Sequence, residues 1–200
     1  MHKVFISYHS SDQAYKDDLV SFGVENNVFI DRSVETGDIS DDLSDQKIRE
    51  IIRDDYLRDS TVTIVLVGEN TKGRKHVDWE IYSSMINGNK NKRSGVIAIT
   101  LPETNCTYYT AVHEGEKEAV YPEQATWMTV DSRAEYERRY PFLPVRLIDN
   151  LLKVEAKISV TNWDRLNVET LKFLIEVAHT DRYKCQYDLS TPMRRSNTPL

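Results

Sequence analysis

Two hundred residues with 40% hydrophobic and 29% charged side chains give an ordinary globular composition, and no run approaches the 18 consecutive apolar residues of a membrane span. A net charge of −6 argues against nucleic acid as the main partner. Cys106 and Cys185 stand far apart without a CxxC or His-rich companion, and the opening MHKVFISY lacks the regions of a secretory leader, so structural thiols and a cytoplasmic location are expected.

Residues 3–8 (KVFISY) read as a first strand, with Val4 and Ile6 on one face and Phe5 on the other. The polar turn His9, Ser10, Ser11, Asp12 follows, and Ser11 or Asp12 can cap a helix carrying Tyr15, Leu19 and Phe22 on one side. Residues 28–30 form a short second strand. The loop DRSVETGDIS contains Gly37, which suggests a turn of positive φ, and Ser40 or Asp41 can cap the helix beyond, where Ile48, Ile51, Ile52 and Tyr56 repeat at helical spacing.

Residues 61–87 hold the centre of the fold. Val62, Ile64, Val65, Leu66 and Val67, closed by Gly68, predict a strand buried on both faces. After a polar loop, Val77, Ile81, Ser84 and Met85 make the inward stripe of a helix, while His76, Glu80, Ser83 and Asn87 make a separate polar stripe. Glu80 thus stands one turn beyond the C-terminal end of a core strand, the rim where open α/β sheets bind ligands. The alternative is an ordinary solvated carboxylate. GVIAITL (95–101) is a fourth strand, and the alternation of strand and helix implies a mainly parallel sheet flanked by helices, a three-layer α/β fold.

Residues 103–130 show no firm period, with a late strand expected near 126–130. A charged helix over 134–140, a helix over 146–154 and a strand over 157–160 follow; the best late helix spans 162–178. One domain over 1–180 is expected (core 3–130, helical part 131–180), with a flexible tail over 188–200. Tyr108, Tyr109, Trp127 and Trp163 are expected to pack, and His113 and His179 to lie at the surface.

There is no GxGxxG, no GxxxxGK[ST] and no GxSxG. HEGEKE, from His113, is not HExxH, and no metal site is expected. What remains is a rim of Tyr8, His9 and Ser10 after the first strand, Asp31 and Arg32 after the second, and Trp79 and Glu80 after the third. The cations Lys72, Arg74 and Lys75 precede the Glu80 helix and would suit a phosphorylated, ring-bearing ligand, or simply face solvent.

FISYHSSDQAY (5–15), the Gly37 loop and VLVGENT with the later VDWEI resemble, in that order, the first box, the BB loop and the glutamate-bearing helix of TIR domains. Together with TNWD they are similar to the bacterial TIR-like family, and within it to the TIR proteins of the Thoeris antiphage system, over about residues 3–180. The resemblance implies a TIR/flavodoxin-like fold with a C-terminal extension. It makes Glu80 the catalytic glutamate and places Phe5, Tyr8, His9, Asp31, Arg32, His76 and Trp79 around the substrate. Many NAD-cleaving TIR domains have WxxxE; here His76 takes the tryptophan position, and Trp79, one residue from Glu80, points about 100° away on a helix.

The implied activity is of the NAD glycohydrolase/ADP-ribosyl cyclase type, triggered rather than constitutive. NAD is a substrate rather than a cofactor, and a cyclic ADP-ribose messenger acts on a partner effector. Self-association through TIR–TIR contacts is also implied. Two other readings stand beside it: a non-catalytic TIR-like adaptor, and a nucleoside-cleaving transferase of similar fold.

Overall fold

The two apolar runs at 62–67 and 95–100 become neighbouring strands in the middle of one sheet. β1 (His2–Ser7), β2 (Phe29–Asp31), β3 (Val62–Val67), β4 (Gly95–Thr100) and β5 (Ser159–Asn162) are all parallel, in the order β2-β1-β3-β4-β5. Val4 pairs with Val62, Ile64 with Ile97, and Ile99 with Thr161. Every residue of β3 and β4 is buried, which is why these strands read as continuous Val, Ile and Leu rather than alternating with polar residues. This is a computed structural model, and it describes residues 1–33, 43–57, 59–88 and 92–197.

Among the described residues, seven α-helices cover the sheet: α1 (Gln13–Glu25), α2 (Asp45–Ile51), α3 (Lys75–Met85), α4 (Glu116–Val120), α5 (Arg133–Arg139), α6 (Val145–Leu151) and α7 (Val168–Asp181). Side chains alternate along a strand. Ile64, Leu66, Ile97 and Ile99 therefore share one face with Leu19 of α1 and Leu171, Leu174 and Ile175 of α7. Val65, Val67, Val96 and Ala98 share the other with Val77 and Ile81 of α3 and Leu147 and Ile148 of α6. α7 crosses β4 very closely: a Cβ on Gly95 would stand 2.1 Å from the Ala178 carbonyl oxygen.

β1 lies between β2 and β3, so the chain leaves it in one direction and returns in the other. That reversal, the flavodoxin-like strand order, opens a crevice beyond the C-terminal ends of β1 and β3. The fold class expected from the sequence is the one found.

Three parts of the chain differ from expectation. No strand forms over 126–130. The segment from 103 instead contains the short α4, and Thr110 makes an antiparallel bridge to Val160 at the β5 edge. Tyr109 stacks on Tyr121 with ring centroids 4.2 Å apart, Trp127 meets both edge-on, and Arg165 lies over the pair. His113 is buried rather than at the surface, its Nδ1 2.9 Å from Asp181 Oδ2. The Gly37 turn and the caps at Ser40 and Asp41 lie outside the described residues, and Ser44 caps α2.

The third difference is the run 188–197. Its composition predicts a flexible tail, yet it lies against α3 and α6. Arg146, 1% exposed, donates to both oxygens of the buried Asp78 carboxylate (2.8 and 3.0 Å) and to the carbonyls of Thr191 and Pro192 (2.9 and 3.1 Å). Asn150 accepts from the Asp188 N–H at 2.7 Å, and Met193 is buried against Phe5, Ile48, Ile52, Leu57 and Trp79.

Removing one partner of a buried ion pair leaves the other charge desolvated, at a cost of roughly 3–5 kcal/mol. Arg146→Met should therefore lower the thermal midpoint by on the order of 10 °C, read by calorimetry. An unchanged midpoint would show that the pair does not hold this face together.

Candidate active site

The last residue of β1 and the second turn of α3 meet at the crevice. Ser7 follows Phe5 by two and so faces the α3 side of the sheet. Its hydroxyl donates to Glu80 Oε2 at 2.6 Å, and both residues are buried, Glu80 at 6% exposure. Glu80 is thus a held, desolvated carboxylate and not a solvated one. Above it opens a cavity of about 410 Å³. Phe5, Ile6, Tyr8, His9 and Ser10 bound it from β1 and the following turn, with Gln13 from α1. Arg74, His76, Val77 and Glu80 bound it from the start of α3, and Asn197 from the 188–197 run.

Each wall has a local cause. His76 and Glu80 are four apart on α3, so one helical face presents both. The Tyr8 hydroxyl donates to Gln13 Oε1 at 2.6 Å, which ties the turn to the first residue of α1. The Ser11 N–H donates to His9 Nδ1 at 3.2 Å, which makes that nitrogen the acceptor of the ring. Burial, followed by the Arg74 guanidinium, holds His9 below its ordinary value, with Asp12 pulling the other way. The wall therefore offers a neutral imidazole, a phenol, a phenyl ring and a guanidinium around one buried carboxylate.

Of the residues singled out from the sequence, the structure brings Glu80, Phe5, Tyr8, His9 and His76 together. Trp79 is not in the cavity: its indole is 1% exposed in the cluster with Phe5 and Met193, and Nε1–H donates to the Arg194 carbonyl at 2.7 Å. That is the outcome of its position one residue from Glu80 on a helix. Asp31 and Arg32 also lie outside the described lining. Asp31 Oδ1 accepts from the N–H and hydroxyl of Ser33, while the Arg32 N–H continues the ladder to the Val4 carbonyl. Of the basic cluster only Arg74 reaches the cavity, since Lys72 donates to the Pro141 carbonyl and Lys75 lies over Trp79. Ser7, Gln13 and Asn197 were not anticipated. Ser7 was within reach of the period-two rule; nothing local marks Asn197.

At the opposite end of β1, His2 Nε2 lies 2.8 Å from Glu176 Oε2, and the His2 ring stacks on His179 at 3.8 Å. This is a grouping of possible metal ligands that the sequence did not suggest, and the stack and hydrogen bond tie its members to one another.

The family model described as Thoeris protein ThsB, TIR-like domain, matches residues 5–106. The chain belongs to that family. No curated protein sequence matches it. The match places the chain among the TIR-like proteins of Thoeris antiphage defence. It runs from Phe5 within β1 to beyond β4, hence over both Ser7 and Glu80, and the 188–197 run lies beyond it.

The state of His9 can be checked by NMR titration. A folded ring that resists protonation contributes stability in full above the ordinary value of 6.5, and that contribution is lost as pH falls through the lower folded value. His9 should titrate below an exposed histidine, and Arg74→Gln should move its midpoint upward. A midpoint at or above the ordinary value would contradict the burial described for the ring.

Proposed function

We propose that this cavity cleaves the nicotinamide–ribose bond of NAD and closes the resulting ADP-ribose into a cyclic second messenger for a partner effector. The observation that carries this reading is the Glu80 carboxylate, buried at the base of a cavity at the sheet's switch point and fixed by Ser7. Membership of the Thoeris TIR-like family supports it.

The chemistry needs few groups. The nicotinamide ring of NAD is cationic, so it leaves neutral without an acid to protonate it. The bonding pair of the C–N bond goes with the leaving ring, and C1′ of the ribose takes on oxocarbenium character. A fixed carboxylate stabilises that charge or attacks it, as in glycoside hydrolysis. Attack by a nucleophile within the ADP-ribose gives a cyclic product, and attack by water gives the linear one. In this reading Phe5, Tyr8 and His76 are the ring-contacting wall, and Arg74 is the cation for the pyrophosphate. A volume of about 410 Å³ falls within the range of small-molecule sites. TIR–TIR contacts between copies complete the active form.

The adaptor reading has one observation on its side: His76 stands in the cavity where the related NAD-cleaving domains often carry tryptophan. Extracts of infected and uninfected cells expressing wild type or Glu80→Gln separate the two. Mass spectrometry should find a cyclic ADP-ribose species with wild type on infection, reduced roughly 10²–10⁴-fold by Glu80→Gln. Equal product from both proteins would remove Glu80 from the mechanism, and protection from phage without any product would favour the adaptor.

Ser7→Ala tests the positioning of the carboxylate separately. Loss of one hydrogen bond to a charged group is worth about 1.5 kcal/mol, or about tenfold in turnover. The loss should fall on kcat with KM nearly unchanged; a change confined to KM would make Ser7 a substrate contact instead.

A further inference from the structure

Residues 188–197 do more than lie against α3 and α6: Asn197, at the end of the run, lines the cavity. The run is fastened along its length. Asp188 and Asn150 exchange two hydrogen bonds, Asp188 N–H to Asn150 Oδ1 at 2.7 Å and Asn150 Nδ2 to the Asp188 carbonyl at 3.2 Å. The Arg146 guanidinium takes the Thr191 and Pro192 carbonyls while paired with Asp78. The Met193 side chain is then buried beside Trp79, the Arg194 N–H donates to Asp78 Oδ2 at 2.8 Å, and Trp79 Nε1–H donates to the Arg194 carbonyl. Arg195 closes the series with an ion pair to Asp45 and a hydrogen bond to the Leu43 carbonyl.

The run then places Asn197 at the N-terminus of α3. Arg74, the residue in the cap position, gives no side-chain cap, and the Lys75 N–H donates to Asn197 Oδ1 at 3.0 Å. An oxygen brought from 122 positions along the chain thus does the work of an N-cap. The same residue lines the cavity with Arg74, His76 and Glu80. The first N–H of α3 and the Arg74 guanidinium are the groups an anionic substrate would seek, since a helix N-terminus favours negative charge. One of them is held by the chain's own side chain. The residues that anchor the run, Asp78 and Trp79, immediately precede Glu80 on α3.

We propose that residues 188–197 are a strap across the cavity mouth, with Asn197 occupying the α3 N-terminus in place of a substrate's phosphate oxygen, so that the site opens when the strap lifts. The identity of the displacing group rests on the dinucleotide reading of the cavity; the strap's closure of the mouth does not. Strap and nucleotide compete for one N–H and one entrance, so each must weaken the other's binding by the same factor.

Two variants of the full chain test this. Met193→Asp removes the apolar anchor, and Asn197→Ala, at an exposed position, removes only the cap. Trypsin cleavage after Arg194 and Arg195, followed by mass spectrometry, reports whether the strap is seated: wild type should be cut slowly and Met193→Asp severalfold faster. Equal rates overturn the seating. Modification of His76 by diethyl pyrocarbonate, with buried His113 as control, reports the opening of the mouth. The His76 rate should rise severalfold in both variants, and an unchanged rate in Met193→Asp with its strap released overturns the closure.

Binding of ADP-ribose, by calorimetry, should be about tenfold tighter in both variants, because a site whose α3 N-terminus is held by Asn197 most of the time loses affinity by the fraction in which it is free. Adding ADP-ribose to wild type should in turn speed tryptic release of the strap; tight binding with no change in cleavage overturns the competition. Faster His76 modification with no ADP-ribose binding in any of the proteins supports the closure and refutes the nucleotide reading.

Discussion

Helix α3 has to carry two carboxylates into the interior, and the surroundings of the helix follow from that burden. Its apolar positions Val77, Ile81 and Met85 fix it on the face of β3 and β4. Asp78 and Glu80 are two residues apart, so they leave the helix about 200° from one another and meet different neighbours. Burying an ionised group costs several kcal/mol unless hydrogen bonds replace its water. Asp78 is met by the two-pronged guanidinium of Arg146 and the Arg194 N–H. Glu80 is met by the Ser7 hydroxyl at the end of β1. The first requirement fixes where α6 and the 188–197 run must lie; the second fixes how deeply α3 seats beside β1.

The sheet explains why chemistry collects at this end. β3 and β4 are buried along their whole length, and polar side chains other than the hydrogen-bonded Thr63 and Thr100 find no place within them. Polar and aromatic groups therefore gather where the strands stop. Strand order decides which stop is concave: the reversal at β1 separates the turn after β1 from the helix after β3, and the gap between them is the cavity. His9 and Glu80 thus converge although more than seventy residues separate them.

What could be read from the sequence was what local periodicity encodes. The period of two in FISY and the unbroken run in TIVLV gave β1 and β3, and the spacing of His76, Val77, Glu80 and Ile81 sorted α3 into a packing stripe and a cavity stripe. Tyr8 and His9 then followed from their place after the first strand, and Phe5 from the resemblance to TIR domains. The misses have one physical character. Residues 103–130 are ordered by a stack of Tyr109 on Tyr121, by the edge of Trp127 and by Arg165, and Asn162 Nδ2 holds the carbonyls of Cys106 and Tyr108. The 188–197 run is ordered by Asn150, Arg146 and Asp78. In both, order comes from contacts between residues distant along the chain, which leave no local period: 103–130 shows none, and the Pro, Ser and Thr of 188–197 read as a flexible tail. Trp79 failed differently: its neighbour Glu80 belongs to the cavity, and one step along a helix is enough to send a side chain into the core.

The division of labour along the chain follows from these contacts. The residues matched to the Thoeris TIR-like family end at 106, and they hold Ser7, Glu80, His76, Arg74 and all of the cavity's described lining except Asn197. Arg146, Asn150 and the 188–197 run lie beyond. The carboxylate and its immediate support therefore come from one part of the chain, and the proposed strap, with Asn197 in the cavity wall, comes from another. The strap is fastened through Asp78 and Trp79, on the helix that carries Glu80, and not through Glu80 itself. A change that loosens Arg146 or Met193 acts on the face of α3 turned away from Ser7. Access to the cavity can then vary while the Ser7–Glu80 contact stays as it is, because two sides of one rigid helix answer to two sets of neighbours.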